Sequence, residues 1–133
     1  MPKADRHAMM MTLMQVALGG AIGAAGRYLV GVAATRVMGL GFPWGTLTVN
    51  VAGSFLMGVL VVSLAHKDAA RLAPFLMTGV LGGFTTFSAF SLDTMAMVER
   101  GQHGLALFYV MASVLLSLGA IILAMFITRG VFQ

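Results

Sequence analysis

The chain has 133 residues, of which 59% are hydrophobic and only 9% are charged, and its formal net charge is +4. Soluble domains carry about 25% charged residues, so this chain lacks the polar surface of a water-facing body and is predicted to be a membrane protein. Its lack of cysteine excludes disulfides and thiolate metal sites.

The apolar residues form four stretches, each long enough to cross a bilayer, since a crossing takes about 20 residues. The stretches cover residues 9–34, 45–65, 72–98 and 104–128. The first continues past Arg27, which makes it too long for the core of a signal peptide. The links between the stretches are short. The sequence therefore predicts an all-α integral membrane protein with a single domain of four transmembrane helices over residues 1–133.

Basic residues in the tails and links predict an orientation. We refer to the membrane side of the N-terminus as side A and to the opposite side as side B. Side A carries Lys3, Arg6, Lys67, Arg71 and Arg129, whereas side B carries Arg36 and Arg100. Lysine and arginine concentrate in cytoplasmic loops, so this bias favours side A in the cytoplasm.

The third stretch carries an unusual segment at its centre, GVLGGFTTFSAF over residues 79–90. Gly82 and Gly83 cost about 2 kcal/mol of helix propensity relative to two alanines, and Thr85 and Thr86 can bond to the backbone. The pattern predicts a third helix broken at the bilayer centre, whose freed carbonyls can ligate a cation. Close packing of the glycines against another helix is an alternative that the residues leave open.

Polar side chains within the spans concentrate in the half of the membrane next to side B. Two stripes with the helical spacing i, i+4, i+8 contribute most of them. In chain order the set contains Arg27, Thr46, Asn50, Ser54, Thr85, Thr86, Ser88, Ser91, Tyr109, Ser113 and Ser117. Each hydroxyl taken singly is equally consistent with a bond to a neighbouring helix. As a set they form half of a polar path, which a second copy inserted upside down would complete, so the sequence predicts an antiparallel homodimer.

Phe87 and Phe90 lie three residues apart, on one face of a helix. The edge of an aromatic ring carries positive partial charge. Two such edges can solvate a small anion without a fixed charge, although ordinary packing is the alternative for each ring.

These motifs together resemble the Fluc (CrcB) family of fluoride channels. GVLGGFTTFSAFS is similar to the family signature GxxGGxTTFSTFS, from which Ala89 departs where threonine is frequent. WGTLTVNVAGSFLMG over 44–58 resembles the second-span motif, and GGAIGAAGRYLVG over 19–31 resembles the first-span segment that includes the arginine. The resemblance covers almost all of the chain.

The resemblance implies a passive fluoride-selective channel rather than an enzyme, located in a bacterial inner membrane, that lowers cytoplasmic fluoride through the two pores of an antiparallel homodimer. The implied fluoride pathway consists of Thr46, Asn50, Phe87, Ser88, Phe90, Tyr109, Ser113 and Ser117. Arg27 is implied to lie beside an aqueous vestibule. The backbone carbonyls of Gly82 and Thr85 are implied to hold a structural sodium ion at the dimer centre.

Two other functions are weighed against this one. A small four-span proton-coupled multidrug exporter needs an acidic residue embedded in the membrane. The first span contains none, and Asp93 is expected near the interface. A structural subunit held by contacts of the Gly19–Gly23 type is the other alternative, and it predicts no ion flux.

Overall fold

The computed structural model describes residues 1–133 and is all-helical. Its elements are α1 (Lys3–Met38), α2 (Trp44–His66), a 3-10 turn (Ala70–Leu72), a π-helix (Pro74–Leu81), α3 (Gly82–Phe84), α4 (Phe87–Glu99) and α5 (His103–Val131). We refer to Ala70–Glu99 as the third segment. Together with α1, α2 and α5 it makes four helices long and apolar enough to span a membrane. The prediction of an all-helical chain with four such helices is confirmed.

Helix α1 extends beyond the predicted first span, 9–34, at both ends. It begins at Lys3 and ends at Met38, where Gly39 takes a φ of 77°. Its 36 residues correspond to about 54 Å at helical rise, whereas the hydrocarbon core is about 30 Å thick. Hydropathy marks only the apolar part of a helix, and backbone hydrogen bonding continues into the polar flanks.

Helices α2 and α5 run in the same direction. Phe42, just before α2, meets Tyr109 near the start of α5 with ring centroids 5.4 Å apart. His66 at the end of α2 stacks on Phe132 after α5 at 4.4 Å. Both helices therefore start at side B and end at side A, as alternating spans joined by short links require.

Glycines bring α1 into close contact with the third segment. A Cβ atom on Gly23 would overlap the carbonyl oxygen of Val80 and would lie 2.8 Å from the nitrogen of Phe84. A Cβ atom on Gly83 would lie 2.6 Å from the carbonyl oxygen of Gly20. Gly83 therefore packs closely against α1, as the alternative interpretation proposed, and the helix is also broken.

The break in the third segment follows the glycine pair instead of falling on it. Gly82 is helical, with φ −62° and ψ −38°. The chain becomes extended at Thr85, with ψ 158°, and at Thr86, with φ −154° and ψ 124°. The glycines serve contact with α1, and the threonines are the residues that leave the helix.

Replacing Gly23 by alanine tests the contact between α1 and the third segment. The new methyl group would meet backbone atoms of Val80 and Phe84, which cannot rotate away. We expect Gly23→Ala to destabilise the protein by about 1–3 kcal/mol, the usual cost of overpacking. The measurement is thermal unfolding in detergent. Gly20→Ala is the matched control, because a Cβ atom there meets nothing within 4 Å. Equal midpoints for the two variants would contradict the contact.

Candidate functional site

The side chain of Asn50 on α2 holds the break through two hydrogen bonds. Its Nδ2 donates to the carbonyl oxygen of Thr86 at 2.9 Å, and its Oδ1 accepts from the backbone nitrogen of Thr86 at 2.8 Å. An amide is the side chain that offers both a donor and an acceptor in this arrangement. Asn50 therefore supplies both of the hydrogen-bond partners that the backbone of Thr86 would have in a continuous helix.

The two threonines complete the local structure at the break. Thr85 donates from Oγ1 to the carbonyl oxygen of Leu81 at 2.9 Å, within the helix that ends there. Thr86 is the N-cap of α4, and its Oγ1 accepts from the backbone nitrogen of Ala89 at 3.1 Å. Threonine is a preferred N-cap because its hydroxyl satisfies a free N–H of the first turn. The sequence therefore ends one helix and starts the next within two residues.

Arg27 contacts the break from the opposite side. Its Nε donates to the carbonyl oxygen of Gly83 at 3.0 Å. The side chain is half-buried on α1 and lines neither of the two cavities described below. The vestibule role that was expected for Arg27 stays a prediction.

The two rings of the predicted aromatic pair are in contact with each other. The centroids of Phe87 and Phe90 are 5.5 Å apart, with the ring planes inclined by 51°. Phe90 also packs against Tyr109 at 5.2 Å. Phe87 is 78% exposed on the protomer, whereas Phe90 is half-buried. One ring is thus anchored in the protein and its neighbour projects outward.

A groove of about 400 Å³ runs between α2, α5 and the break. It brings together five residues of the predicted pathway, which are Asn50, Phe87, Phe90, Ser113 and Ser117. Ser54, Thr85 and Thr86 also line it. The sequence did not predict that the backbone of Thr86 bonds to Asn50 at the break. The available signal was a threonine three residues before Ala89, which is typical of a helix N-cap.

Within this groove, Ser113 carries a polar atom with no partner in the protein. The residue is buried, and no hydrogen bond reaches its Oγ atom. A buried hydroxyl without a partner loses about 1–3 kcal/mol of hydrogen-bond free energy. This hydroxyl is therefore ready to donate to a ligand in the groove.

The other three predicted pathway residues lie outside the groove. Thr46 lines a separate cavity of about 280 Å³ towards side B, together with Asp93 and Arg100. Tyr109 is completely buried between the two cavities, and its hydroxyl donates to Oδ2 of Asp93 at 3.0 Å. Ser88 is exposed, and its Oγ lies 3.3 Å from Oγ1 of Thr86.

The hydrogen bond between Asp93 and Tyr109 was not predicted from the sequence. Asp93 was expected near the interface, and it does line the cavity towards side B. Its bond to Tyr109 joins α4 to α5. Both residues fall in the same half of the membrane, and this shared depth was the one available signal.

Side chains do not form a metal centre in this protein. No group of three or more His, Asp or Glu side chains is placed to hold an ion. The expectation for Gly82 and Thr85 does not depend on such a group, because it uses backbone oxygens.

The sequence is similar to a known family and to named bacterial proteins. Residues 14–125 match the family model described as CrcB-like protein, Camphor Resistance (CrcB). A protein of Cereibacter sphaeroides named fluoride-specific ion channel FluC is 62% identical over 122 residues, covering 92% of this chain and 98% of that protein. A protein of the same name from Paracoccus denitrificans is 57% identical over 121 residues, covering 91% and 97%. The family match and these two relatives, which extend over nearly the whole chain, show that this chain belongs to the CrcB family.

Proposed function

We propose that this chain is a passive fluoride-selective channel that lets fluoride leave the cell and so lowers its cytoplasmic concentration. The observation that carries the proposal is the groove in which Asn50, Phe87, Phe90 and the unpartnered hydroxyl of Ser113 meet. The relatives named fluoride-specific ion channels support the choice of ion. No chemical step is required, so the protein needs no catalytic group.

Fluoride is small and tightly hydrated, so a pore has to replace its water shell. An asparagine amide has two N–H donors. One N–H of Asn50 is used on Thr86, and the second is free to donate to an anion in the groove. Ser113 adds a hydroxyl, and the ring edges of Phe87 and Phe90 add positive partial charge. Neutral donors of this kind stabilise an ion without retaining it.

The remaining predicted residues extend the proposed path beyond the groove. Ser117 lies in the groove next to Ser113 along α5, and Thr46 lines the cavity towards side B. Tyr109 and Ser88 lie beside these two spaces. Arg27 contributes positive charge at the level of the break, where it favours the approach of an anion.

An antiparallel homodimer would close the open side of the groove. In one protomer the groove is bounded by α2, α5 and the break, and Phe87 projects from it with most of its ring exposed. A partner related by a two-fold axis in the membrane plane would present the same surface in return. Two equivalent pores would result, and every helix would remain in lipid with its loops in water.

A sodium ion is compatible with the carbonyls of Gly82 and Thr85. Neither oxygen receives a hydrogen bond within the protomer. The N–H of Thr86, which would serve Gly82 in a continuous helix, donates to Asn50 instead. Gly82 is exposed and Thr85 is half-buried. Two unsatisfied carbonyl oxygens are hard ligands that suit sodium, and a bound ion would neutralise the end of α3 at the dimer centre.

The location that we propose is a bacterial inner membrane, where the protein contacts lipid and its own second copy. The side A excess of lysine and arginine favours one orientation, whereas the antiparallel dimer requires both. The antiparallel dimer therefore requires that both orientations insert despite this excess.

The decisive experiment for the function is efflux from liposomes that contain the purified protein. We expect fluoride to leave rapidly and chloride to stay, because the groove offers neutral hydrogen-bond donors and fluoride is the stronger hydrogen-bond acceptor of the two ions. An ion-selective electrode measures each efflux. Empty liposomes are the control. Equal release of the two ions, or none, would refute the proposal and favour an exporter or a structural subunit.

The aromatic pair is tested in the same assay with Phe87→Ile and Phe90→Ile. Isoleucine is apolar and of similar bulk, but it has no ring edge to face the anion. We expect each variant to slow fluoride efflux by about tenfold or more, which corresponds to about 1.4 kcal/mol in the barrier. Phe126→Ile is the matched control, since that ring is exposed on α5 and lies away from the groove. Parent-like efflux in the double variant would disprove the role of the rings.

Dual insertion is tested with single cysteines, which the chain permits because it has none of its own. Gln102→Cys places a thiol on side B and Lys67→Cys places one on side A, both in exposed links. A membrane-impermeant thiol reagent is applied to intact cells, and labelling is compared before and after lysis. An antiparallel dimer predicts about half labelling for each variant. Full labelling of one variant and none of the other would show a single orientation.

A further inference from the structure

The first half of the third segment ends without the backbone donors of a continuous helix. The last carbonyls of any helix lack intrahelical partners. In this segment the carbonyl of Gly83 accepts a hydrogen bond from Nε of Arg27, at 3.0 Å and 56 positions away in the sequence. The donor for this helix end is therefore supplied by a different helix.

The packing of α1 places Arg27 next to the end of α3. Gly23 and Arg27 are four residues apart and lie on the same face of α1. Gly23 is pressed against the backbone of Val80 and Phe84, where no side chain fits. Arg27 follows one turn later on that face, at the level of the Gly83 carbonyl. The bond is thus a direct consequence of the glycine contact.

We propose that Arg27 is a positioning residue, which caps the C-terminal end of α3 and thereby fixes the direction of the carbonyls of Gly82 and Thr85. The inference rests on the proposed function, because these are the two oxygens assigned to sodium. A guanidinium forms charge-assisted hydrogen bonds, and positive charge is favourable at the C-terminal end of a helix. Since the Gly83 carbonyl is held towards α1, the exposed Gly82 faces away from the protomer.

This role is distinct from attraction of an anion into a vestibule. A residue that attracts fluoride acts through its charge, so replacing it by any neutral residue lowers flux and leaves the break intact. A capping residue acts through its N–H group. Its loss loosens the backbone between Gly83 and Thr86 even when no fluoride is present.

Two neutral variants separate these roles, because one keeps a hydrogen-bond donor at the Nε position and the other does not. In Arg27→Gln the amide nitrogen stands as many bonds from the backbone as Nε does, and it keeps a donor without the charge. In Arg27→Met a methyl group occupies that place and offers no donor. Arg36→Met is the control, since Arg36 is exposed in the last turn of the same helix.

The full-length protein in detergent, without fluoride, is examined by amide hydrogen exchange over 83–86 and by thermal unfolding in NaCl and in KCl. We expect Arg27→Met to raise the exchange of Thr85 and Thr86 roughly tenfold, the effect of losing one charged hydrogen bond. It should also reduce the extra stability that NaCl gives the parent. Arg36→Met should behave like the parent, and Arg27→Gln should keep most of the parent's protection, because it retains the N–H donor but loses the charge.

Equal exchange in Arg27→Gln and Arg27→Met would overturn the proposal. Failure of Arg27→Met alone to fold would support it, whereas failure of both variants would show that the charge is what matters and would overturn it. If the parent is no more stable in NaCl than in KCl, the sodium assignment is wrong. The hydrogen-exchange comparison alone would then decide the capping role. Absence of fluoride efflux from the parent would refute the channel function without affecting the exchange comparison.

Discussion

The two hydrogen bonds between the side chain of Asn50 and the backbone of Thr86 hold the third segment in its broken form. Inside a bilayer a peptide group without a partner costs several kcal/mol, because no water replaces the lost bond. A helix interrupted at Thr85 and Thr86 would otherwise re-form or leave the membrane. Asn50 removes this cost at the point of the break, and it does so from α2, which lines the groove. The same residue therefore maintains the backbone and shapes the path.

The break also depends on how closely the helices approach each other. Gly23 and Gly83 allow the backbones of α1 and the third segment to touch. At this separation Arg27 reaches the Gly83 carbonyl. The interrupted backbone is thus held by α1 on one side and by α2 on the other. In lipid there is little hydrophobic drive between helices, so contacts of this kind carry the association.

The sequence predicted the features that depend on local composition. Long apolar stretches define four spanning helices, and helical spacing placed Asn50 and Ser113 in one groove. It did not predict the partners of Asn50 and Arg27, which lie 36 and 56 positions away, because tertiary packing sets those contacts. The stripe argument also overreached for Thr46. Thr46 and Ser54, at i and i+8, are about 12 Å apart along a helix, and Thr46 lines a different cavity from Ser54.

The charged and amide side chains of the groove and its surroundings have a property that suits conduction. Those that could bind most strongly are already engaged with the protein itself. Arg27 donates to a backbone carbonyl, and Asp93 accepts from Tyr109, whose ring packs against Phe90. Asn50 retains only its second N–H for a passing ion. Binding that is too tight blocks a pore, because the ion must also leave. Groups that also hold the fold have only part of their hydrogen-bonding capacity left for an ion, so their contacts with it are of moderate strength. Such contacts can replace a hydration shell and then release the ion.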